Sequence, residues 1–473
     1  MSMEPLRTFA PCGMLGYGIP EHSFVNGMAR DPHILAVDGG STDPGPYYLG
    51  AGVSFTNRTM VKRDLTLILR AGYERQIPII IGSAGGGGAG PHVAWLLDIV
   101  DEINGEHGLH FPTAVITSDI DPTLLKRKRC EGVTTPLDFD RELTDEEIDR
   151  SVHLVAQMGP EPVIAALAQA QLVVCGRACD PAVIAAPALM RGYSPALAVH
   201  MGKILECGAA AAYPRHGTDG LLGTLLADSF LVEPSNPAQA CTVDSVAAHT
   251  LYERSNPFQS HWPGGMLDLS ATHFEQYNER TTEIRGSSYR ADTEYMVKVE
   301  GAARRGYRTI AIAGTRDPLL QANFETYERN VRQRVAQTVA PLREGGDYNL
   351  FIRVYGRDGV MGQSEPDRRT EGHELGLILE VIAETEMVSR QVLAISRSAA
   401  LHSTYPGRKA IAGNLAFPFS PSDIGVGDVY EFNVYHLVRL DNPQELFPIH
   451  FDDCATSLAR LVAETTASER SRE

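Results

Sequence analysis

The stretch IPIIIGSAGGGGAGPHVAWLLDIVDEI, residues 77–103, decides the fold class of this chain. Residues 77–81 form a short apolar run rich in isoleucine, which is typical of a buried strand. The run passes directly into the glycine-rich segment 82–90, and Pro91 suits the first turn of a helix. Residues 92–103 carry apolar side chains at helical spacing, so the stretch predicts a strand, a glycine-rich loop and a helix in succession.

The same succession recurs on both sides of this stretch. Apolar runs at residues 33–37, 113–116 and 171–174 are each followed by a loop rich in polar residues or glycine, and helical intervals such as 61–72 separate them. Alternating strands and helices form parallel sheets with right-handed crossovers. We therefore expect residues 1–230 to form an α/β domain with a mostly parallel, Rossmann-like sheet and glycine-rich ligand-binding loops.

A second domain is expected to begin near residue 230, because the segment EPSNP at 233–237 interrupts regular structure. Strand and helix patterns in residues 231–473 predict an α+β domain that completes the cleft. One long helix is predicted from an apolar face, and residues 373–388 predict another apolar helix. The polar tail from about residue 465 is expected to be frayed. The apolar face comprises Phe324, Tyr327, Val331, Val335 and Val339.

The loops that follow the four strands of the first domain contain the candidate site. Ligands of an open parallel sheet bind outside the carboxyl ends of its strands, where the loops diverge. We therefore expect one crevice lined from all four loops. Carboxylates in this set also leave a bound Mg²⁺ open, although the sequence identifies no cofactor. The candidate residues are Asp38, Ser41, Asp43, Ser83, Asp119, Asp121, Arg177 and Asp180.

The glycine run is the most conspicuous of these loops. Consecutive glycines let backbone N–H groups approach an anion, and a following helix adds its positive end. We expect Ser83, Gly85, Gly86 and Gly87 to contact a phosphate, a pyrophosphate or a carboxylate. The run lacks the lysine of a P-loop, and a glycine tract matches the dinucleotide fingerprint trivially. A turn without a ligand is the alternative.

Two further segments carry groups suited to catalysis. Arg177 is suited to bidentate recognition of a substrate carboxylate, and the alternative is an internal ion pair with Asp180. Glu206 lies in an apolar, glycine-rich segment that could raise its pKa and make it an acid or base. Cys207 is a candidate nucleophile, with an inert buried thiol as the alternative. The candidate catalytic residues are therefore Asp38, Asp180, Glu206 and Cys207.

Composition and charge narrow the class of protein. The net charge of −17 argues against a nucleic-acid binder held by phosphate contacts, but not against a small anionic substrate. No apolar run approaches the roughly 20 residues of a membrane span, and the first residues lack an apolar signal core. Seven cysteines are sparse for 473 residues and suggest reduced thiols. We expect a cytoplasmic protein without nucleic-acid or membrane partners.

Four segments resemble the acyclic terpene utilisation (AtuA-like) family, and the similarity runs over roughly residues 12–440. They are VVCGRACDPAVIAAPAL (173–189), HMGKILECGAAA (200–211), RVYGRDGVMGQSEP (353–366) and AGNLAFPFSPSDI (412–424). Ile204 stands where a leucine is expected, and GYGIPEHSF (16–24) differs from the aspartate-bearing form. The positions that the resemblance marks are Gly176, Arg177, Asp180, Glu206, Cys207, Gly208, Gly362 and Asn414. Of the candidate residues outside the glycine run, Ser41, Asp119, Arg177 and Asn414 are expected to contact the substrate.

The resemblance implies a role in the catabolism of branched or isoprenoid acids as coenzyme A thioesters, or of other organic acids. We favour a lyase or hydratase that acts on a small carboxylate or its acyl-CoA thioester. Arg177 and the 83–90 loop would hold the anion, while Glu206 or an aspartate moves a proton next to the carbonyl.

Three other readings stay open. One is a hydrolase or acyl-transfer enzyme with Cys207 or Ser83 as the nucleophile. Another is a non-catalytic subunit of a catabolic complex, and the least favoured is a nicotinamide dehydrogenase. A homo-oligomer or a small companion subunit is also left open.

Overall fold

The computed structural model describes residues 3–137, 141–215, 217–252, 255–367, 372–452 and 462. Its contacts group into two compact units: unit 1 comprises Met1–Ala303 with Phe432–Glu473, and unit 2 comprises Arg304–Glu431. The boundary predicted near residue 230 lies elsewhere, because residues on both sides of it belong to one sheet of unit 1. The predicted frayed tail from residue 465 lies outside the described residues.

The strands are numbered in chain order. Those of the first half are β1 (Leu6–Ala10), β2 (Ile34–Asp38), β3 (Ile79–Gly82), β4 (Thr113–Ile116), β5 (Thr134–Pro136), β6 (Ser151–Ala156), β7 (Leu172–Cys175), β8 (Leu221–Leu225) and β9 (Ser229–Pro234). Those of the second half are β10 (Gln259–Trp262), β11 (Gly265–Asp268), β12 (His273–Gln276), β13 (Thr282–Arg285), β14 (Ser288–Ala291), β15 (Tyr295–Thr315), β16 (Tyr348–Tyr355), β17 (Leu375–Ala383), β18 (Asp423–Leu440) and β19 (Ile449–Asp452).

Several helices begin where a side chain caps the first turn, as Asn57, Asp121, Thr144 and Thr385 do. The helices are α1 (Glu21–Met28), α2 (Pro46–Ala51), α3 (Arg58–Arg75), α4 (Gly90–His107), α5 (Pro122–Cys130), α6 (Asp145–Arg150), α7 (Pro160–Leu167), α8 (Asp180–Met190), α9 (Pro195–Leu205), α10 (Val243–Leu251), α11 (Pro318–Ala322), α12 (Phe324–Thr338) and α13 (Glu386–His402). No helix among the described residues is both long enough and apolar enough to cross a membrane.

Unit 1 is built on a ten-stranded sheet with the order β12-β13-β9-β8-β1-β2-β3-β7-β4-β19. The five central strands, from β1 to β4 in that order, are parallel to one another. The prediction of parallel strands is confirmed for this centre. The sheet as a whole is mixed rather than mostly parallel, because a β8–β9 hairpin pairs antiparallel with β1 and β19 returns antiparallel to β4.

The central strands are buried on both faces, as parallel strands are. Along β3 and β7, Ile80 and Val173 belong to one apolar cluster, while Ile81 and Val174 belong to another on the opposite face. The first cluster also contains residues of α7, α8 and α9, and the second contains residues of α3 and α4. Helices therefore cover both faces of the sheet, which leaves the strand ends as the accessible edges.

A short antiparallel pairing extends the rim of this sheet. The loop after β4 bonds to β6 through Ala156 N–H to Ser118 O at 2.9 Å and Ile120 N–H to Leu154 O at 3.0 Å. In turn β6 pairs antiparallel with the first part of β15, where Val299 is opposite Ala156. This pairing brings residues near 300 to the ends of the parallel strands.

In unit 2, β17 pairs antiparallel with β16 and with the second part of β15. The helix predicted from the apolar face is confirmed as α12, with Phe324, Tyr327, Val331 and Val335 buried. The helix predicted at residues 373–388 is wrong, because this segment contains β17 and only the start of α13. Leu375, Leu377, Leu379 and Val381 are buried at a spacing of two, which is the period of a strand.

Candidate functional site

The candidate site lies at the carboxyl edge of the central parallel strands. Asp38 is the last residue of β2, Ser83 follows β3, and Arg177 lies two residues beyond β7. Asp119 lies in the loop after β4. Because these four strands are neighbours and parallel, the turns that follow them share one edge of one sheet. The predicted common edge of one sheet is confirmed, and the predicted crevice lined from all four loops stays a prediction.

Arg177 is the fixed centre of this rim, and its side chain is only 3% exposed. Its Nε donates to Glu300 Oε2 at 2.9 Å, and its Nη1 donates to Ser83 Oγ at 3.2 Å and to the Ala178 carbonyl at 3.1 Å. Its Nη1 also lies 3.6 Å from Asp180 Oδ1. These contacts favour the alternative in which Arg177 forms internal ion pairs and organises the loops.

The hydroxyl of Ser83 is used to fix the loop. Ser83 has the uncommon φ of +38°, and its Oγ accepts from Ala178 N–H and from Arg177 Nη1, each at 3.2 Å. The same oxygen lies 3.3 Å from the Ala178 carbonyl, to which it donates. This set of bonds does not favour Ser83 as a nucleophile.

The glycine run allows the loops of the rim to pack closely. A Cβ on Gly88 would lie 2.1 Å from the backbone nitrogen of Arg177, and one on Gly87 would lie 2.7 Å from the His92 ring. Cβ atoms on Gly85 and Gly86 would also meet neighbours, at 3.0 Å and 3.2 Å. Packing alone therefore accounts for the glycines, and their predicted contact with an anion stays a prediction.

Two of the predicted aspartates cap helices. Asp119 Oδ1 accepts from the Gly90 N–H at 3.0 Å, so its carboxylate already balances the positive end of α4. Asp121 accepts from the Thr123 N–H at 2.7 Å at the start of α5. Their positions explain both residues by helix capping.

Asp38 is a buried carboxyl group of the rim, and like Asp180 it has one oxygen without a hydrogen-bond partner among the described residues. It is 9% exposed, and its Oδ1 has no hydrogen-bond partner within the described part of the chain. Burial, followed by the negative charges of Asp180 and Glu206, raises the pKa of Asp38 well above its usual value, although Arg177 opposes the shift. Asp38 therefore tends to keep its proton where an ordinary aspartate has lost it.

Asp180 is the first residue of α8, and its charge acts on Asp38. Burial and the nearby Asp43 raise the pKa of Asp180, while Arg177, Lys203 and Lys298 act to lower it. The negative charge of Asp180 is thus one cause of the raised pKa of Asp38. Asp43 is exposed, and it accepts a 2.8 Å hydrogen bond from Ser41 Oγ.

Glu206 and Cys207 lie at the carboxyl end of α9. Glu206 is 8% exposed and forms an ion pair with Lys203, one turn earlier in the helix. Cys207 Sγ lies 3.8 Å from Tyr252 Oη. Glu206 acts on Asp38 through its charge. The structure therefore brings Glu206 to the rim, whereas the predicted role of Cys207 as a nucleophile stays a prediction.

Sequence reasoning missed Lys298 and Glu300. Glu300 is buried between Arg177 and Lys298, whose Nζ lies 2.8 Å from Glu300 Oε1, and it also accepts from Thr42 Oγ1 at 2.8 Å. Burial alone would raise the pKa of Glu300, but Arg177 and Lys298 lower it to about 2. The available signal was the Lys-Val-Glu alternation within the apolar strand β15, which places both charges on one face.

The residues that share the charges of this edge are called the rim cluster. Its carboxylates and cations are mutually close, and no cation in it is exposed beyond a fifth. The rim cluster comprises Asp38, Arg177, Asp180, Lys203, Glu206, Lys298 and Glu300.

Two of the family-marked residues belong to unit 2 and have other partners. Asn414 Nδ2 donates to Asp317 Oδ2 at 2.7 Å and contacts the hydroxyl of Tyr405. Gly362 begins a short 3₁₀ turn with a φ of +57°. Asn414 therefore has a structural setting of its own, and its predicted contact with substrate stays a prediction.

The described residues do not resemble a metal centre. Among them no group of three or more His, Cys, Asp or Glu side chains is arranged to hold a metal ion. Asp43 and Asp119, which were candidate ligands for Mg²⁺, hydrogen-bond to Ser41 and to Gly90. Binding of Mg²⁺ through one or two of the predicted carboxylates and water stays a prediction.

A concave region lies at the opposite, amino edge of the central strands. Its volume is about 540 Å³, and His33, Gln76, Arg191 and Tyr193 are among its lining residues. The carboxyl edge is the better candidate, because ligands of open parallel sheets bind there and the proton-holding carboxylates are there.

Comparison with known proteins gives one match. A family model described as acyclic terpene utilisation family protein AtuA matches residues 57–214 and 228–410. No curated protein and no solved structure matches the chain.

Proposed function

The chain belongs to the acyclic terpene utilisation family AtuA, and on this premise we propose that it is an enzyme that moves protons on a small organic acid or its acyl-CoA thioester, as a lyase or hydratase does. The observation that carries the proposal is the buried Asp38 at the carboxyl edge of the parallel strands, whose pKa is raised by burial and by the charge of Asp180. Perturbed carboxylates in such a position are typical of acid–base sites.

Addition or loss of water next to a carbonyl needs one group that accepts a proton and one that donates a proton. In the elimination direction, the ionised carboxylate of the Asp38–Asp180 pair removes the proton from the carbon next to the carbonyl. The protonated carboxyl gives its proton to the departing hydroxyl, which leaves as water. The pair ends with the same number of protons, and hydration is the reverse.

Negative charge develops on the carbonyl oxygen while the proton leaves. Lys203 and Lys298 both act electrostatically on Asp180, and their side chains are 16% and 18% exposed, compared with 3% for Arg177. We therefore propose that these two lysines, rather than Arg177, stabilise the negative charge on the carbonyl oxygen of the substrate. Arg177 instead positions the loops, through Ser83 and Glu300.

The alternative with Ser83 as nucleophile gains no support, since its hydroxyl is bonded to Arg177 and Ala178. Cys207 stays the alternative nucleophile, and a covalent adduct trapped on its thiol would distinguish it from the proton-transfer scheme. A non-catalytic subunit is distinguished by experiment.

The test is proton exchange in D₂O. The purified chain is incubated with a panel of short and branched carboxylic acids, their 2-enoyl-CoA and their 3-hydroxyacyl-CoA thioesters, and mass spectrometry follows deuterium entry and gain or loss of water. We expect exchange with at least one thioester, and a fall of about 10² to 10⁴-fold in Asp38→Asn. Asp121→Asn is the matched control, because asparagine keeps the cap of an exposed helix at the same edge.

A wild-type chain that exchanges no proton on any member of the panel contradicts the enzyme proposal. A chain that binds thioesters without exchange is the result expected of the non-catalytic subunit. Equal activity in Asp38→Asn and wild type leaves the enzyme but removes Asp38 from its mechanism.

A further inference from the structure

An aromatic surface adjoins the rim and has no place in the proton-transfer scheme. Four rings follow one another edge to face or tilted across it, with Tyr17 6.5 Å from Phe55, Phe55 5.1 Å from Tyr48, and Tyr48 5.3 Å from Tyr47. Two of them are strongly exposed, Tyr17 by 51% and Tyr47 by 45%, and the neighbouring Val53 is 44% exposed. We call Tyr17, Tyr47, Tyr48, Val53 and Phe55 the aromatic patch.

The aromatic patch is joined to the glycine loop by direct contacts. The Phe55 N–H donates to the Gly85 carbonyl at 3.4 Å, and a Cβ on Gly86 would lie 3.8 Å from Phe55 Cβ. The ring of His92 also holds the segment between Tyr48 and Val53, since its Nε2 lies 3.0 Å from the Tyr48 carbonyl oxygen and 3.2 Å from the Val53 carbonyl oxygen.

The other side of the patch is joined to Asp38. The loop that carries Tyr17 follows β1, and its Leu15 N–H donates to the Asp38 carbonyl at 2.9 Å. The sulfur of Met14 lies 3.6 Å from where a Cβ of Gly40 would be. The loop of Tyr17 therefore packs against the end of β2 and the turn that follows it, so the aromatic patch adjoins the segment that carries Asp38.

The chemistry of the patch favours a neutral apolar group over a phosphate. Asp43 and Glu21 are exposed carboxylates, each four residues from a tyrosine of the patch. The cations nearest in sequence already have carboxylate partners: Arg58 pairs with Asp98 and Glu102, and Arg63 lies 3.1 Å from Asp64 and 3.8 Å from Glu21. Exposed aromatic rings that adjoin a polar site commonly bury the apolar part of a ligand. Cations that are already paired do not favour the phosphates of coenzyme A.

We propose that the aromatic patch binds the hydrocarbon chain of the substrate and so makes longer acyl chains bind more tightly. The inference rests on the proposed function, because it takes Asp38 and Asp180 as the place of the reacting carbons. Tyr17, Tyr47 and Phe55 are then specificity-determining residues. The rest of the acyl chain runs from the rim over the turn after β2 and onto the rings.

The test uses straight-chain carboxylic acids from butanoate to decanoate as probes and measures binding by isothermal titration calorimetry. In the wild type, each added methylene raises affinity by about two- to fourfold, as burial of a CH₂ group does. In Tyr17→Ser/Tyr47→Ser this increment falls by at least half, while butanoate binding changes less than about twofold. The single variants Tyr17→Ser and Tyr47→Ser replace the double variant if it does not fold.

The matched control is Tyr277→Ser, an equally exposed tyrosine, 60%, in the turn between β12 and β13. It keeps the wild-type increment. An increment that is absent in the wild type, or unchanged in all Tyr17 and Tyr47 variants, overturns the proposal. A wild-type dimer that the variants dissociate also overturns it, since the patch is then an interface between two copies of the chain.

Failure of the proposed function looks different. A chain-length increment that depends on Tyr17 and Tyr47, together with no deuterium exchange on any thioester, leaves the patch as a binding surface and removes the enzyme. Deuterium exchange without a chain-length increment leaves the enzyme and removes the patch.

Discussion

Two aspartates, Asp38 of the rim cluster and Asp317 of unit 2, differ in the hydrogen bonds that their carboxylate oxygens accept. Asp317 Oδ2 accepts from Tyr405 and from Asn414, and its Oδ1 accepts from the Leu319 N–H at 2.8 Å. Although burial acts in the opposite direction, the hydrogen bonds from Tyr405 and from backbone N–H groups lower the pKa of Asp317. Asp317 is thus held ionised by partners that fix its loop.

Asp38 has the reverse setting. Its Oδ1 has no hydrogen-bond partner within the described residues, and burial with two neighbouring carboxylates raises its pKa. A carboxylate whose bonds are complete stabilises a structure, whereas a buried one crowded by like charges is available for a reaction. The contrast separates family-marked Asn414, which supports Asp317, from family-marked Asp180, which perturbs Asp38.

The largest expected effect comes from the residue that holds the rim together. Arg177→Met leaves Glu300 buried without its strongest partner, and we expect the free energy of unfolding to fall by about 3–5 kcal/mol. Urea titration at neutral pH measures this loss. Arg353→Met in unit 2 is the matched control, because Arg353 is 47% exposed and its partner Glu380 keeps Arg308.

The control variant should lose less than about 1 kcal/mol, as expected of an exposed pair. The double variant Arg177→Met/Glu300→Gln should recover part of the loss, because it removes the charge that was left behind. Equal losses in Arg177→Met and Arg353→Met would contradict the view that Arg177 fixes the rim.

The contrast between the two aspartates predicts opposite consequences for their variants. Asp317→Ala removes a helix cap and the partner of Tyr405 and Asn414, so the free energy of unfolding should fall by about 2 kcal/mol. Its kcat in the exchange assay should stay within about twofold of wild type. Asp38→Asn should instead lose activity without losing stability, since it removes a buried group crowded by like charges.

Asp121→Ala calibrates the stability measurement. Asp121 is an exposed N-cap with no tyrosine partner, so its loss should be about 1 kcal/mol. If Asp317→Ala costs no more than Asp121→Ala, the hydrogen bonds from Tyr405 and Asn414 contribute nothing measurable, and the structural role given to Asn414 is wrong.

The rim was predictable because each of its loops directly follows a strand in the sequence. Each apolar run ends in a loop, and neighbouring parallel strands place these loops at one edge of the sheet. Asp38, Ser83 and Arg177 could therefore be assigned to one edge from the sequence alone. The order of the strands was not needed for this grouping. What the sequence could not give was the use of each side chain, since Ser83 and Arg177 bond to one another rather than face a ligand.

Lys298 and Glu300 were missed because their position depends on pairing across the chain. They reach the rim only because β15 pairs with β6, more than 140 residues earlier, and β6 bonds to the loop after β4. Local sequence patterns do not predict which distant strands pair with each other. Strand β17 was missed for a different reason, since its dense apolar composition resembles a buried helix and only the alternation of Leu375, Leu377 and Leu379 separates the two.

The smallest expected effect is a difference in pH dependence, and it tests the comparison without any substrate. The pKa of Asp38 is higher in the folded chain than the ordinary value of 3.8, so above that pH the folded chain holds a proton that the unfolded chain has lost. The stabilisation from this proton is complete below pH 3.8 and is lost as the pH rises through the raised pKa. Asp317 has the opposite sign, because its lowered pKa gives stabilisation that is present above 3.8 and is lost as the pH falls.

Urea titrations between about pH 4 and 8 should therefore show stability that declines less steeply toward high pH in Asp38→Asn than in wild type. Asp317→Ala should keep the wild-type decline toward high pH, and it should lose less stability than wild type below about pH 4. Parallel curves for wild type and Asp38→Asn would mean that Asp38 is an ordinary ionised aspartate, and the proton that the proposed mechanism needs would have no holder on β2.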